Sequence, residues 1–395
     1  MLTNRQLFLN YQAQTSDEPL MLEIEKAEGI YMYAPDGKSY IDLISGVSVS
    51  NIGHRHPAVV EAIKKQVDKY MHLMVYGEYI QAPQVKLSEK IVNLLPSSLN
   101  SCYFVNSGSE ANEGALKLAK RYTGRSKMVA FNKAYHGSTQ GVLSVMGEES
   151  FKNSFRPLLP GVSFIDFNEE AQLQEINEET AAVIVEPIQG EAGVVLPKND
   201  FLKKLRKRCD DTGALLIFDE IQTGFGRTGK MFAFEHYDAV PDIITFAKGL
   251  GGGMPIGAFV ANKEIMQSFT SNPVLGHITT FGGHPVSCAA AYASLSVLTN
   301  ENIVSEVFEK GKMFREELNH PSFKSIHGEG LFLSVAVESY DYLRKLLQES
   351  INRGLVFDWF IFDDNHFRIA PPLIISKSEI KKACNILKAA ADALL

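Results

Sequence analysis

Residues 214–253, ALLIFDEIQTGFGRTGKMFAFEHYDAVPDIITFAKGLGGG, contain two short runs of apolar and β-branched residues, ALLIF and IITFA. Runs of this length without polar alternation are typical of strands that are buried on both faces of a sheet. Each run is followed directly by a charged residue, Asp219 after the first and Lys248 after the second. The stretch therefore predicts two buried strands with a carboxylate and an amine at their carboxyl ends.

Similar apolar runs alternate with helical patterns on both sides of this stretch. The runs CYFV, MVAF, VSFI and AAVIVE precede it and IGAFVA follows it, and helices are predicted from Ser109 and from Phe201. Gly213, just past the second helix, is placed to end it in a left-handed cap. Alternating strands and helices predict an α/β fold, a mostly parallel sheet flanked by helices that binds ligands at the carboxyl ends of its strands.

The two ends of the chain show other patterns. Near the N-terminus, the turn at 35–37 separates two aromatic and β-branched runs and predicts a hairpin, and Pro57 begins an amphipathic helix. Beyond residue 286 the sequence predicts long helices and one short apolar strand around 331–337, and a capping box from Ser376 to Glu379 begins the last helix. We assign this tail to a smaller α+β lobe, because 395 residues are too many for one ordinary core.

The overall composition excludes several classes of protein. The chain carries a formal charge of −7 with acidic and basic residues interspersed, so no basic stripe offers itself to nucleic acid. No stretch approaches the ~18 apolar residues of a membrane span, and no signal-peptide pattern begins the chain, which favours a cytoplasmic protein. The cysteines show no C-x-x-C pairing, which predicts core thiols at Cys102, Cys209, Cys288 and Cys384.

Asp219 and Lys248 suggest chemistry at the sheet edge. A carboxylate at the end of a buried strand needs a cationic partner. A lysine held in the same way is desolvated, which lowers its pKa and frees the amine to attack a carbonyl. The two side chains could also simply pair with each other, an alternative that these residues alone leave open.

A third element follows the CYFV strand. Residues 106–112, NSGSEAN, begin a helix with small residues, so that free backbone N–H groups can hold an anion such as phosphate, although an ordinary serine N-cap explains the same loop. The three elements together predict a ligand with a phosphate, a basic nitrogen and a carbonyl. Pyridoxal phosphate has all three, since its aldehyde condenses with a lysine and its ring nitrogen takes an aspartate.

Two other motifs resemble a dinucleotide-binding site and a metal site but do not predict either one. Residues 224–229, GFGRTG, match the dinucleotide fingerprint G-x-G-x-x-G, but they lie several residues past their strand and do not form the first turn of a βαβ unit. His54 and His56 would need a further ligand at usable spacing to bind a metal. We therefore predict no metal site, and place both histidines in a loop before the Pro57 helix.

Seven motifs occur in order along the chain. They read NSGSEANEGALKLA, YHGST, VEPIQGEAGV, DEIQTGFGRTG, FAKGLGGGMPIGA, TTFGGHP and FRIAPP. With them the chain resembles the class III aminotransferases of fold type I over nearly its full length, most closely the acetylornithine and ornithine aminotransferase branch. The resemblance implies a large pyridoxal-phosphate-binding domain over residues 57–286 and a small domain built from residues 1–56 and 287–395.

The resemblance also implies how the cofactor is held. Lys248 would bond to the aldehyde, Asp219 would pair with the pyridine nitrogen, and Tyr135 would stack on the ring, unless it is a core tyrosine. Thr280 would reach the phosphate of the neighbouring subunit, because the family builds each site at the interface of a homodimer with shared active sites. The further residues implied at the cofactor are Ser107, Gly108, Ser109, His136 and Gln222.

Substrate recognition is implied by a second group of residues. Arg368 would bind an α-carboxylate, Glu191 would neutralise this arginine when an ω-amine is bound, and Tyr76 would face the substrate. Ser138 stands where related enzymes usually carry an arginine that grips a further carboxylate, which puts the acetylornithine assignment in doubt unless another basic residue takes its place in space.

The implied activity is that of an aminotransferase. The enzyme would move an amino group from an ω-amine donor such as acetylornithine or ornithine to an α-keto acid such as 2-oxoglutarate or pyruvate, by a ping-pong mechanism through Lys248. The alternatives are a 4-aminobutyrate-type or ω-amine:pyruvate aminotransferase, or an aminomutase or racemase with the same fold and cofactor.

Overall fold

A seven-stranded sheet dominates the computed structural model, which describes residues 2–395. The strands of the chain are β1 (Lys26–Glu28), β2 (Tyr31–Tyr33), β3 (Ser39–Asp42), β4 (Ser101–Val105), β5 (Lys127–Phe131), β6 (Val162–Ile165), β7 (Thr180–Val185), β8 (Leu215–Asp219), β9 (Ile243–Phe246), β10 (Gly257–Ala261), β11 (Ser325–Glu329), β12 (Phe332–Ala336), β13 (Leu355–Val356), β14 (Asp358–Phe360) and β15 (Asp363–Ile369). The large sheet has the order β4-β10-β9-β8-β7-β5-β6.

Helices cover the faces of this sheet and surround the smaller ones. They are α1 (Asn4–Tyr11), α2 (Ser45–Ser48), α3 (Pro57–Val67), α4 (Ala82–Val92), α5 (Gly108–Thr123), α6 (Gln140–Ser144), α7 (Phe201–Thr212), α8 (Lys263–Gln267), α9 (Pro285–Asn300), α10 (Val307–Glu317), α11 (Tyr340–Asn352) and α12 (Lys377–Asp392). None of them, among residues 2–395, is long and apolar enough to span a membrane.

The large sheet confirms the predicted α/β class. Strands β5 to β9 pair in parallel, and only β10 runs antiparallel, between β9 and β4. Every residue of β7, β8, β9 and β10 is buried, as expected for strands covered on both faces. The carboxyl ends of β7, β8 and β9 consequently meet at one edge of the sheet.

Local signals in the sequence are confirmed at several boundaries. The turn at 35–37 joins the antiparallel strands β2 and β3, and Gly213 ends α7 in a left-handed cap with a φ of 68°. Ser376 and Glu379 form the capping box of α12. The helix expected from Ser109 begins one residue earlier, because the Ser107 side chain accepts a hydrogen bond from the Glu110 N–H group and so caps it.

The strand predicted around 331–337 is confirmed as β12, but the prediction that it is the only strand beyond residue 286 was wrong, since the structure has five there. Four of them form a sheet of order β11-β12-β15-β14, and β13 pairs in parallel with β3 of the N-terminal sheet. Strands β12 and β13 are fully buried, whereas β11 and the first half of β15 are polar and partly exposed. The polar strands carry no apolar signal because they lie at the surface.

The remaining motifs have structural positions. The 224–229 segment forms turns rather than a strand-to-helix phosphate loop, and its buried Arg227 donates hydrogen bonds to the Leu331 and Pro371 carbonyls and to Asn51. The two histidines do precede the Pro57 helix: His54 contacts Asp42 at 2.8 Å and His56 caps α3. Three cysteines are buried and Cys102 is partly buried, all as free thiols.

Candidate active site

A cavity of about 430 Å³ opens at the carboxyl ends of the central strands. Loops that follow five strands of the large sheet contribute its walls. The lining residues that matter below are Ser107, Gly108 and Ser109 after β4, Tyr135 and His136 after β5, Glu186 after β7, Asp219 and Gln222 at the end of β8, and Lys248 after β9. The sheet thus brings most of the predicted cofactor residues together.

Lys248 follows β9 and projects its amine into the cavity. Its backbone has a φ of 46°, and it begins a 3₁₀ turn, Lys248–Gly251. The Nζ atom has no hydrogen-bond or ion-pair partner among residues 2–395, so the alternative of a simple pair with Asp219 was wrong. Desolvation lowers the pKa of this amine, with the Glu191 carboxylate opposing and the Arg368 guanidinium adding to the shift.

Asp219 is held by the neighbouring loops. Its Oδ2 atom accepts hydrogen bonds from Asn112 Nδ2 at 2.7 Å and from His136 Nδ1 at 2.8 Å, and Oδ1 accepts one from the Ile221 N–H group at 3.0 Å. The side chain is only 4% exposed but still lines the cavity. The carboxylate is therefore fixed in place and faces the cavity as a negative charge.

The start of α5 presents free donors to the same space. Ser107 caps the helix, and the backbone N–H groups of Gly108 and Ser109 have no acceptor within the described chain. A Cβ atom at Gly108 would lie 2.8 Å from Ile221 Cδ1, so a larger residue there would require the Ile221 side chain to shift. The first turn of a 16-residue helix with two free N–H groups favours an anion.

Two more polar groups of the cavity have unused hydrogen-bonding capacity. Gln222 is 7% exposed and its Nε2 atom has no partner in residues 2–395, nor does Nε2 of His136. Tyr135 is half-buried, and its hydroxyl lies 3.2 Å from Ser138 Oγ, which is exposed. Tyr135 is thus a wall of the cavity and not a core residue.

Arg368 and Glu191 lie close enough to Lys248 to shift its pKa, but neither is among the residues that line the cavity. The guanidinium donates two hydrogen bonds to the carboxylate, Nη1 to Oε1 and Nη2 to Oε2, each at 3.0 Å. Burial raises the pKa of Glu191, but Arg368 and Lys248 outweigh it and hold the pKa below its usual value. Both side chains are buried, so the pair is a strong, directed interaction.

Tyr76 and Thr280 lie apart from this cavity. The Tyr76 hydroxyl is 3.5 Å from Thr280 Oγ1, Thr280 is exposed, and neither residue lines the cavity of its own chain. Neither residue therefore completes the cavity of the chain that carries it.

Sequence reasoning missed three groups around the cavity. Glu186 is buried, accepts hydrogen bonds from the Tyr135 and Gly190 N–H groups, and has its pKa raised by burial to about 7. It follows a buried strand just as Asp219 ends one, so the same signal could have found it. Asn112 and Asp358 gave no such signal, because their roles depend on contacts with distant segments.

The donor set fits pyridoxal phosphate. The start of α5 suits a phosphate, the free Nε2 of Gln222 suits an oxygen acceptor, Asp219 suits a protonated ring nitrogen, and the Lys248 amine suits an aldehyde. All of these groups border one cavity of sufficient size for a small cofactor.

Comparison with known proteins gives the same result. The family model for class-III aminotransferases matches residues 11–391. The chain is 40% identical over 382 residues to an acetylornithine aminotransferase from Methanocaldococcus jannaschii, covering 93% of each chain, and 39% identical over 375 residues to that of Bacillus subtilis, covering 93% and 94%. A solved ornithine aminotransferase from Toxoplasma gondii superposes with a TM-score of 0.91 at 29% identity, covering 98% of this chain and 92% of the other.

Fold, site and relatives together define a pyridoxal-phosphate-dependent transferase of fold type I. The chain belongs to the class-III aminotransferase family. It is an enzyme that transfers amino groups between small-molecule amines and keto acids with pyridoxal phosphate as its cofactor.

Proposed function

We propose that this aminotransferase takes the amino group from an ω-amine donor resembling acetylornithine or ornithine and passes it to an α-keto acid such as 2-oxoglutarate. The observation that carries the proposal is the buried pair of Arg368 and Glu191 beside Lys248. A guanidinium suits a carboxylate through its planar fork, and a neighbouring carboxylate can neutralise it when the substrate brings none.

The two substrates place opposite demands on this pair. An ω-amine donor presents no carboxylate near its reacting carbon, so Arg368 stays with Glu191 and carries little net charge. An α-keto acid presents a carboxylate, which replaces Glu191 on the same fork. One site can thus serve both halves of a ping-pong reaction, in which the first product leaves before the keto acid binds.

The cofactor would be held by residues of the large sheet. Ser107, Gly108 and Ser109 would take its phosphate, Gln222 its ring hydroxyl and Asp219 its ring nitrogen, while His136 holds Asp219 through a hydrogen bond. When bound, pyridoxal phosphate supplies an aldehyde and a ring that withdraws electrons from the substrate carbon. Tyr135 would cover one ring face, for which an aromatic surface is suited.

Lys248 is the group that we propose moves the proton. Its lowered pKa provides the neutral amine, which can accept a proton from the substrate carbon at Nζ and donate it again nearby. Asp219 supports this step, because a fixed carboxylate favours a protonated ring nitrogen. The rest of the machinery orients the substrate.

Ser138 bears on which donor is used. Ser138 is exposed, and its Oγ atom lies 3.2 Å from the Tyr135 hydroxyl at the wall of the cavity. A serine in place of arginine weakens the hold on a further carboxylate by roughly 1.5–3 kcal/mol. This favours donors without that carboxylate, such as diamines and simple ω-amines, and leaves pyruvate as a second acceptor.

A homodimer with shared active sites is part of the proposal. Thr280 is exposed, lies outside its own cavity and contacts Tyr76, as expected for residues that complete the site of a second protomer. Several large apolar side chains are exposed beside it, including Ile80 at 96% and Val274 at 71%. Contiguous apolar surface of this kind marks a protein interface.

A substrate panel tests the proposed donor. We expect kcat/KM to be higher for a simple ω-amine without a carboxylate than for acetylornithine, ornithine or 4-aminobutyrate, each measured with 2-oxoglutarate and with pyruvate. Replacing Ser138 by arginine should raise kcat/KM for acetylornithine by at least about tenfold and leave a simple ω-amine unchanged. A strong preference of the unmodified enzyme for acetylornithine with 2-oxoglutarate would show that Ser138 does not weaken that substrate. Recovery of the original cofactor absorbance band after an amine is added would indicate racemase or mutase chemistry.

A further inference from the structure

Arg368 has a second carboxylate beside it. Asp358 on β14 lies directly across from Arg368 on β15, and its Oδ1 atom is 3.3 Å from Arg368 Nε. The pair does not meet hydrogen-bond geometry, since both atoms are buried without a hydrogen-bond partner within residues 2–395. Glu191 occupies the two terminal nitrogens, so two acids share one guanidinium.

The position of Asp358 is set by the fold of the hairpin that carries it. The register of β14 and β15 shifts between Trp359 and Phe360, and the guanidinium of Arg368 lies 4.7 Å above the Phe360 ring while Nη2 donates weakly to the Trp359 carbonyl. These contacts orient the guanidinium of Arg368 so that its terminal nitrogens point toward Glu191 and its Nε atom points toward Asp358. The pairing of β14 with β15 therefore fixes Asp358 next to Arg368.

The charges around Asp358 do not balance once a keto acid binds. Besides Arg368, the groups that face it are Glu191 from the loop after β7, Asp42 from β3 and Lys248 from the loop after β9. Arg227, which is fully buried, is coupled to Asp42 and Arg368. A substrate carboxylate on Arg368 would add one negative charge to a region that already holds three acids, in surroundings where an unpaired charge is costly.

Asp358 is the acid best suited to lose its charge in response. Burial raises its pKa to about 6, with Arg368 opposing and Glu191 and Asp42 adding to the shift. Glu191, by contrast, has its pKa held down by Arg368 and Lys248. Asp42 is already held by His54 and by the Ile44 and Ser45 N–H groups.

We propose that Asp358 is a positioning residue for Arg368 that takes up a proton from solvent when a substrate carboxylate replaces Glu191, so that keto-acid binding is coupled to protonation. This inference rests on the proposed role of Arg368 as the carboxylate receptor. The proton goes to the Asp358 carboxyl group at the Nε edge, and the arginine, whose terminal nitrogens hold the substrate carboxylate in place of Glu191, then faces one fewer anion. Binding is favoured at lower pH, because the bound state holds the extra proton.

Calorimetry of the holoenzyme with glutarate, an unreactive dicarboxylate, tests the coupling. Titrations at about pH 7.5 in buffers of different ionisation enthalpy give the number of protons taken up per glutarate, which we expect to be a large fraction of one. The dissociation constant should rise up to about tenfold per pH unit above this pH. An Asp358→Asn variant, which mimics the protonated acid, should show no uptake and a flat pH profile.

Three further variants keep the outcomes distinct. Asp363→Asn removes an acid from the same hairpin that pairs with His366 rather than Arg368, and should leave the uptake unchanged. Glu191→Gln should reduce uptake, because it removes one of the three acids and a bound carboxylate then only restores the charge of the unmodified free enzyme. Absence of uptake in the unmodified enzyme, its persistence in Asp358→Asn, or undiminished uptake in Glu191→Gln would overturn the role of Asp358. Arg368→Lys should weaken glutarate binding at least about tenfold; if it does not, the proposed receptor itself is wrong, whatever Asp358 does.

Discussion

Lys248 combines an unusual backbone conformation with a free amine, and both have consequences at the scale of single residues. A non-glycine residue at a φ of 46° is held there by its surroundings, which fixes where the side chain begins. Desolvation then favours the neutral amine. A substitution at 248 therefore removes a placed nucleophile that no neighbouring lysine of the cavity can replace.

We predict that Lys248→Ala abolishes turnover. Loss of a proton-transfer group alone lowers rates by about 10²–10⁴-fold, and the covalent attachment of the cofactor is lost as well. Borohydride reduction followed by peptide mapping should label Lys248 in the unmodified enzyme and nothing in the variant. Lys263→Ala, which alters an exposed lysine at the start of α8, should leave both activity and labelling intact. Label on another residue would contradict the assignment.

Asp219→Ala should leave a folded protein that binds the cofactor weakly and barely turns over. The ring nitrogen loses its counter-ion, and Asn112 and His136 lose their shared acceptor, a cost to stability of about 1–3 kcal/mol. Asp219→Asn keeps an oxygen acceptor without the charge, so it should recover stability but not activity. Equilibrium dialysis of cofactor and urea unfolding of both variants measure the two effects. Full activity in Asp219→Asn would show that the charge is not needed.

Single residues also show what one sequence can reveal about a site. Asp219 and Lys248 could be predicted, because a charge at the end of a buried strand is visible in the chain itself. The His136 and Asn112 contacts to Asp219 were not derivable in this way, since they join segments far apart in sequence. Asp358 was missed for a similar reason: its contact with Arg368 depends on the irregular register of a hairpin.

At the scale of elements, α5 links the anion-binding turn to the large sheet. The helix packs against β10 where Gly114 faces the Phe259 ring, and a Cβ atom on Gly114 would lie 2.3 Å from Cε1 of that ring. Gly114 allows α5 to approach the Phe259 ring closely, and its backbone conformation does not require a glycine. The distance between α5 and the sheet therefore depends on the absence of a side chain at Gly114.

Gly114→Ala should destabilise the protein, although alanine favours helices by about 1 kcal/mol. Overpacking against a fully buried ring costs typically ~1–3 kcal/mol, and a shift of α5 away from the ring would displace its first turn. Urea unfolding should show the loss, and cofactor affinity should fall with it. Phe259→Leu in the same chain should recover part of the loss relative to the sum of the single changes. A stabilised Gly114→Ala protein would show that the ring moves aside freely.

Some strands of the fold could be predicted from the sequence and others could not. The strands of the large sheet were predicted with their order along the chain, because burial on both faces leaves only apolar residues. The β11-β12-β15-β14 sheet was not, since β15 begins with Asp363, Asp364, Asn365 and His366, a polar run typical of a loop. This segment forms a strand because it pairs with β12 and β14, and its own sequence does not indicate a strand.

At the scale of the whole molecule, one face is unusually apolar. Two segments, 71–80 and 274–281, form it, and they are joined by contact of the His72 and Phe281 rings at 4.9 Å and by Tyr76 with Thr280. Its exposed apolar side chains are Met71, Leu73, Met74, Tyr79, Ile80, Val274, Leu275, Ile278 and Phe281. Burying this face in a homodimer would remove it from water and bring Thr280 to a second cavity.

Mixed refolding should show whether sites are shared. Lys248→Ala and Thr280→Asp chains, each inactive alone, should regain up to about a quarter of normal activity together, because half of the random dimers carry one intact site of two. Lys248→Ala mixed with Asp219→Ala is the control, since both residues line the cavity of one chain and no intact site can form. Equal activity in both mixtures, or a fully active monomer at high dilution, would contradict shared sites.

The parallel pairing of β3 with β13 has a consequence for how the protein is made. Residues 41 and 42 of β3 pair with residues 355 and 356 of β13. The hairpin of β2 and β3 therefore gains this neighbouring strand more than 300 residues after its own synthesis. At common rates of synthesis this delay is on the order of tens of seconds. During that interval one strand edge of the nascent hairpin stays unpaired, which leaves it open to pairing with other polypeptides.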